Sequence, residues 1–257
     1  MYQYENIMND FSELNINDVC SILFGNTITA PTLFTINEGE YITRMRQGHG
    51  YKMKEDLSYP PNNCNQKMQR ANLTGKSMFY GCLSDSNEHL ENSRYIGLLE
   101  LSSLIWDDTS IGTEYYTCSI WKTNKPIKAI CFITDETYSQ IPNQIIECFR
   151  NTYAEKKGYL TDRQVLLMQY INQEFSKIVP TTNENEYAFT ASLCDKILGN
   201  LVFNKSTFDA VIYPSVKTGG YAGVNIAINP QCVDTSLSLD RVYEVTLIKS
   251  NRKKAYL

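Results

Sequence analysis

Histidine is nearly missing. The 257 residues hold two, His49 and His89, both in polar, turn-forming segments. A histidine-rich metal site is therefore all but excluded, and a Ser-His-Asp triad has little to be built from, the more so as no Gly-x-Ser-x-Gly elbow occurs. Long apolar runs are missing too. Stretches such as Ala129-Ile130-Cys131-Phe132-Ile133 are far short of the roughly 20 residues that cross a bilayer. The opening Met1-Tyr2-Gln3-Tyr4-Glu5-Asn6 lacks the basic start and apolar centre of a secretion signal, so the chain is read as soluble and cytoplasmic, with no membrane partner. There is no excess of positive charge: 24 Lys and Arg against 28 Asp and Glu leave a net charge of −4. That balance argues against direct binding of nucleic acid while allowing a local basic pocket.

Paired cysteine spacing is absent as well. The eight cysteines stand singly at 20, 64, 82, 118, 131, 148, 194 and 232, and none has the Cys-x-x-Cys spacing of a zinc or redox site. They are read as free thiols, several of them small hydrophobes of the core, and no metal is expected. Two glycine motifs fail on inspection. Thr74-Gly75-Lys76-Ser77 ends like a phosphate-binding P-loop, but the first glycine of that motif would fall on Arg70 and Met78-Phe79-Tyr80 continues as strand. Gly219-Gly220-Tyr221-Ala222-Gly223 lacks dinucleotide-fold spacing and reads as a turn.

What is present is an ordinary globular composition: 42% apolar, 12% aromatic, with 18 tyrosines. No repeat or linker divides the chain. Residues 1–37 read as an N-terminal appendage containing a short helix around Asp18 to Leu23, residues 38–250 as the main domain, and 251–257 as a tail. Strands are expected at 41–46, 77–83, 115–122 and 127–134, the last two joined through Asn124-Lys125-Pro126 as a hairpin. Helices are expected at 93–105, 143–153 and 186–198. Another starts at Thr161, which forms a capping box with Gln164 and heads an apolar stripe of Val165, Met168, Ile171, Phe175 and Ile178. Strands at 208–213, 223–228 and 241–249 follow. Helices fall irregularly between strands, which indicates an α+β fold.

Four polar features sit in this frame. Arg44 and Arg46 share one side of a strand. Arg70 stands in a polar turn ten residues before Tyr80, and a guanidinium fork suits paired phosphate oxygens. Glu100 lies on a helix with little polar surface, where a carboxylate is either partnered by a cation or pushed toward its neutral form. Ser215 closes the apolar strand Asp209 to Pro214, and Asn225 follows in Gly223-Val224-Asn225-Ile226-Ala227.

In this order the segments resemble the RES domain family, named for its arginine, glutamate and serine. Ile42-Thr43-Arg44-Met45-Arg46 looks like the opening strand, and Arg70-Ala71-Asn72 with Gly75 like the Arg-x-Asn-x-x-Gly turn. Phe79-Tyr80 looks like the tyrosine strand, Leu99-Glu100 like the glutamate helix, and Tyr213-Pro214-Ser215-Val216 with Asn225-Ile226-Ala227 like the closing signature. The resemblance implies an ADP-ribosyltransferase-like split β core with surrounding helices. It implies a bacterial toxin of a toxin–antitoxin pair that cleaves the nicotinamide–ribose bond of NAD⁺, with water or phosphate as acceptor. A helix-turn-helix (Xre-type) antitoxin would restrain it, and homo-oligomerisation is left open. Carried onto this sequence, Glu100 would stabilise the oxocarbenium-like ribose. Arg44, or alternatively Arg46, and Arg70 would hold the pyrophosphate, with Asn225 also at the ligand. Tyr80 would pack on ribose or nicotinamide, and Ser215 would bond the nicotinamide end. The chain is longer than compact members, with extra sequence at 84–93 and around 135–160. Two alternatives stand beside this: transfer of ADP-ribose to a macromolecule, against which Glu100-Leu101-Ser102 lacks a Glu-x-Glu pair, and a silent nucleotide- or partner-binding module.

Overall fold

The computed structural model describes residues 10–25, 28–64, 67–84, 90–137, 144–179, 183–200, 207–216, 223–251 and 254–256. Its strands are β1 (Thr32–Ile36), β2 (Tyr41–Gln47), β3 (Phe79–Leu83), β4 (Gly112–Thr123), β5 (Ile127–Cys131), β6 (Ala210–Pro214), β7 (Val224–Ile228), β8 (Leu237–Asn251) and β9 (Lys254–Tyr256). They form one mixed sheet in the order β1-β5-β6-β7-β3-β2-β4-β8-β9. The helices are α1 (Ile16–Phe24), α2 (Lys54–Leu57), α3 (Glu91–Leu101), α4 (Gln144–Lys157), α5 (Asp162–Ser176), α6 (Ala188–Asn200) and α7 (Pro230–Ser236). The fold is α+β, and no helix among the described residues is long and apolar enough to cross a membrane.

β6, and β7 apart from Asn225, are apolar and buried throughout because both sheet faces are covered there. One face packs Val211, Tyr213 and Ala227 against Leu23 of α1, Ile171 and Phe175 of α5 and Ile197 of α6. The other packs Ile212, Ile226 and Ile228 with Phe79, Trp121, Phe149 of α4 and Val233 of α7. α5 starts where the sequence indicates: Thr161 Oγ1 accepts from the Gln164 amide at 3.3 Å and Gln164 Oε1 accepts from the Thr161 amide at 3.1 Å. It stops at Ser176, so Ile178, expected on the buried stripe, is 78% exposed.

Three further expectations differ. β4 and β5 are no hairpin: β4 pairs with β2 and β8, β5 with β1 and β6. Asn124-Lys125-Pro126 carries the chain across the sheet instead of back along it. The described part of segment 1–37 is integral to the fold, since β1 pairs with β5 and Val19 and Leu23 are fully buried. The tail likewise adds β9 to β8. α7 is unforeseen, although Asn229 caps it and Pro230 opens it. The expected turn at 219–222, His89 and the centre of the insertion at 84–93 lie outside the described residues.

One feature of the sheet shapes everything near the polar cluster. β2 and β3 pair only through Ile42 with Leu83 and Thr43 with Cys82. Beyond that point β3 continues along β7 to Phe79, while β2 continues along β4 to Gln47. The sheet forks, and the unpaired edges of the two prongs face each other.

Candidate active site

A cleft of about 510 Å³ opens in this fork, lined by Arg44, Arg46, Lys67, Arg70, Tyr80, Glu100 and Asn225 among others. A volume of this size is ordinary for a small-molecule site. Four cationic side chains (Arg44, Arg46, Lys67, Arg70) stand against two carboxylates (Glu100, Glu184) in the lining. A protein of net negative charge thus presents a locally positive cleft.

Arg44 spans the fork. Its Nη1 donates at 2.7 Å to the carbonyl of Tyr80, an acceptor the interrupted ladder leaves free, and the guanidinium lies 5.1 Å from the Phe79 ring centroid. Its buried Nε has no partner among the described residues. Burial, with Arg46 adding to it, lowers the guanidinium to about 10, which leaves it charged at neutral pH. Arg46 is exposed and stacks on Tyr51 at 4.5 Å. Of the two arginines kept open above, Arg44 therefore has the less compensated charge.

Arg70 also lines the cleft, but most of its fork is committed. It donates to the carbonyls of Phe175 at 2.7 Å, Lys177 at 2.9 Å and Glu174 at 3.4 Å, and stacks on Tyr187 at 5.1 Å. It closes the C-terminus of α5, whose last turn has no basic residue of its own. Tyr80 braces the same turn: its hydroxyl donates to Asn72 Oδ1 at 2.7 Å and accepts from the Ala71 amide at 3.0 Å. Burial pushes its phenol well up, so it remains protonated.

Glu100 occupies the last turn of α3, where the helix dipole disfavours an anion. No ion pair relieves it among the described residues; instead three donors converge on Oε1. They are the Ser215 hydroxyl, the Val216 amide at 3.1 Å and Asn225 Nδ2 at 2.9 Å. Oε2 has no hydrogen bond among the described residues. The helix is brought this close by Gly97, where a Cβ would stand 3.0 Å from that of Met45, and by Gly223, where a Cβ would strike Ile96 at 2.4 Å. Ser93 adds a buried 2.8 Å hydroxyl contact to Thr43 of β2.

Of the residues expected in the site, all but Ser215 line the cleft. Ser215 stands behind Glu100, and its hydroxyl hydrogen goes to the carboxylate instead of to a ligand. His49 is exposed and lies against Tyr115. Among the described residues no group of His, Cys, Asp and Glu is placed to hold a metal, and all eight cysteines are free. Sequence reading missed Lys67, Glu184 and Tyr187. No spacing joins 184–187 to 67–70; the bond from the Met68 amide to Glu184 Oε2 at 3.0 Å does so only in the folded chain. No family model, curated protein or solved structure compared with the chain matches it.

Proposed function

We propose that the cleft binds NAD⁺ and cleaves its nicotinamide–ribose bond, in the manner of the RES family and on a split β core like that of the ADP-ribosyltransferases. The observation that carries this reading is the juxtaposition of Glu100, pinned through Oε1 alone, with the under-bonded guanidinium of Arg44 in one forked cleft. The fork in the sheet supports the fold-level likeness.

Arg44, flanked by Arg46 and the remaining donors of Arg70, suits a pyrophosphate, which offers paired anionic oxygens. The nicotinamide ribose then lies towards Glu100. The bond between the ribose anomeric carbon and the pyridinium nitrogen breaks with its electron pair going to nitrogen, so nicotinamide leaves neutral and needs no strong acid. Glu100 Oε2 faces the developing oxocarbenium charge and stabilises it. Water then adds to the anomeric carbon and loses one proton, giving ADP-ribose; phosphate adding instead gives the 1-phosphate. Ser215, Val216 and Asn225 hold the carboxylate in place and aimed while this happens. An enzyme that drains NAD⁺ from the cytoplasm requires restraint in the cell that makes it, and a helix-turn-helix antitoxin is the partner class the resemblance supplies.

The test is nicotinamide release from NAD⁺ by the purified protein, with and without phosphate. Glu100→Gln is expected to lower turnover by about 100-fold or more. Full turnover in that variant, or none in the wild type, would overturn the reading. Label from NAD⁺ appearing on a macromolecule would show transfer in place of hydrolysis or phosphorolysis.

A further inference from the structure

We propose that Cys82 is a positioning residue for Glu100 and acts through Asn225; the inference rests on the reading of the cleft just given. Cys82 of β3 and Asn225 of β7 are direct cross-strand partners, 5% and 8% exposed. The Cys82 thiol donates to Asn225 Oδ1 across 3.4 Å, while Asn225 Nδ2 donates to Glu100 Oε1 across 2.9 Å. The direction of this chain follows from the partners. An ionised carboxylate only accepts, so the amide turns its NH₂ towards Glu100, and its carbonyl oxygen then faces the thiol.

A flipped amide would set oxygen against oxygen at Glu100 and remove one of the three donors that hold Oε1. The carboxylate already disfavours that flip, and the thiol, by donating to Oδ1, adds to the preference and fixes the other end of the amide. Burial first, and the nearby Glu100 carboxylate second, push Cys82 well above the ordinary thiol range, so its proton stays in place and the donor is permanent. Cys82 also lines the cleft, directly beneath the helix that carries Glu100. On sequence it is indistinguishable from the core thiols; the register of β3 on β7 gives it this role.

Three proteins test the proposal: wild type, Cys82→Ala and Cys82→Ser. With thermal melts as a folding control, Cys82→Ala is expected to lower kcat for nicotinamide release by about three- to tenfold, with KM for NAD⁺ nearly unchanged. Cys82→Ser keeps a donor and is expected to restore kcat. A cysteine that merely fills space would not be rescued by the more polar serine. Independently of turnover, the infrared S–H band obtained by subtracting Cys82→Ser from wild type should lie at the lower frequency of a bonded thiol and rise in Asn225→Ala. The proposal fails if Cys82→Ala turns over like wild type, if Cys82→Ser is as slow as Cys82→Ala, or if the band sits at the free-thiol position. A wild-type protein that releases no nicotinamide overturns the reading of the cleft, and the thiol band alone then upholds or refutes the orientation of Asn225.

Discussion

Arg44 holds a charge that its surroundings do not balance. Among the described residues its side chain makes one hydrogen bond, to a backbone carbonyl, and its buried Nε has no partner, while Arg46 stands two residues away on the same side of the strand. A part-buried charge left this way is destabilising, and an anionic ligand relieves it. Replacing Arg44 with Met is therefore expected to leave the melting temperature of the free protein unchanged or higher. The same change should weaken NAD⁺ binding by about 2 kcal/mol, roughly thirty-fold, as calorimetry on the Glu100→Gln background would measure. A large loss of stability together with unaltered binding would show a structural arginine. At this scale the sequence was informative about residue type and order, since Arg44, Arg70, Tyr80, Glu100 and Asn225 do meet in one cleft. It was silent about partners. Arg70 answers the carbonyls of α5 and Ser215 answers Glu100, because a side chain's hydrogen-bonding mates are set by what folds against it and not by its chain neighbours.

Among the elements, α3 matters most. It carries Glu100 on its final turn against its own dipole, and its approach to β2 depends on Gly97, which has room for a hydrogen but only a tight fit for a methyl group. Gly97→Val should push α3 off Met45, costing about 1–3 kcal/mol of stability. It should also slow nicotinamide release disproportionately, because Oε1 moves away from Val216 and Asn225; melts and turnover on the same sample measure both. Helices and strands with strong local signals were legible: the capping box of α5, the β2 alternation, the apolar β6 run and the largely apolar β7. The supposed β4–β5 hairpin was not, since a turn-like Asn124-Lys125-Pro126 fixes a change of direction and leaves the choice of strand partner to distant residues. α7 escaped because seven residues are too few for a helical period to show, although its cap, Asn229 Oδ1 accepting from the Gln231 amide at 3.0 Å, was present in the sequence.

For the whole molecule, the segment that follows α3 is tied to the β4–β8 side of the sheet by a polar clamp. Glu114 of β4 accepts from Ser102 at 2.6 Å, Ser103 at 2.9 Å, the Leu104 amide at 3.2 Å and Tyr116 at 2.6 Å. Lys249 of β8 donates to the carbonyls of Leu104 at 3.0 Å and Asp107 at 2.7 Å. Desolvation alone would raise the Glu114 carboxyl, but the bonds from Ser102, Tyr116 and Ser103 outweigh it and hold the group below its ordinary 4.5. A carboxyl depressed in the folded state contributes stability above its unfolded value and loses it as pH falls through the folded one. Thermal melts from neutral pH to about pH 3 should therefore show a steeper acid loss in wild type than in Glu114→Gln. Screening of this partly exposed group limits the difference to about 1 kcal/mol, or some 2–4 °C. Parallel profiles for the two proteins would mean that the clamp contributes nothing.

The sequence by itself determined the α+β class, most of the helices and strands, the net negative charge and the ordered set of arginines, tyrosine, glutamate, serine and asparagine. Each of these follows from local periodicity, capping and composition, which act over a few residues. The tertiary structure alone decided that β2 and β3 part company after two pairs, that α3 brings Glu100 beneath three donors, and that Cys82 faces Asn225. Those outcomes depend on strand register and helix approach between segments up to 143 positions apart, where the physics is that of packing and pairing partners and no local signal exists.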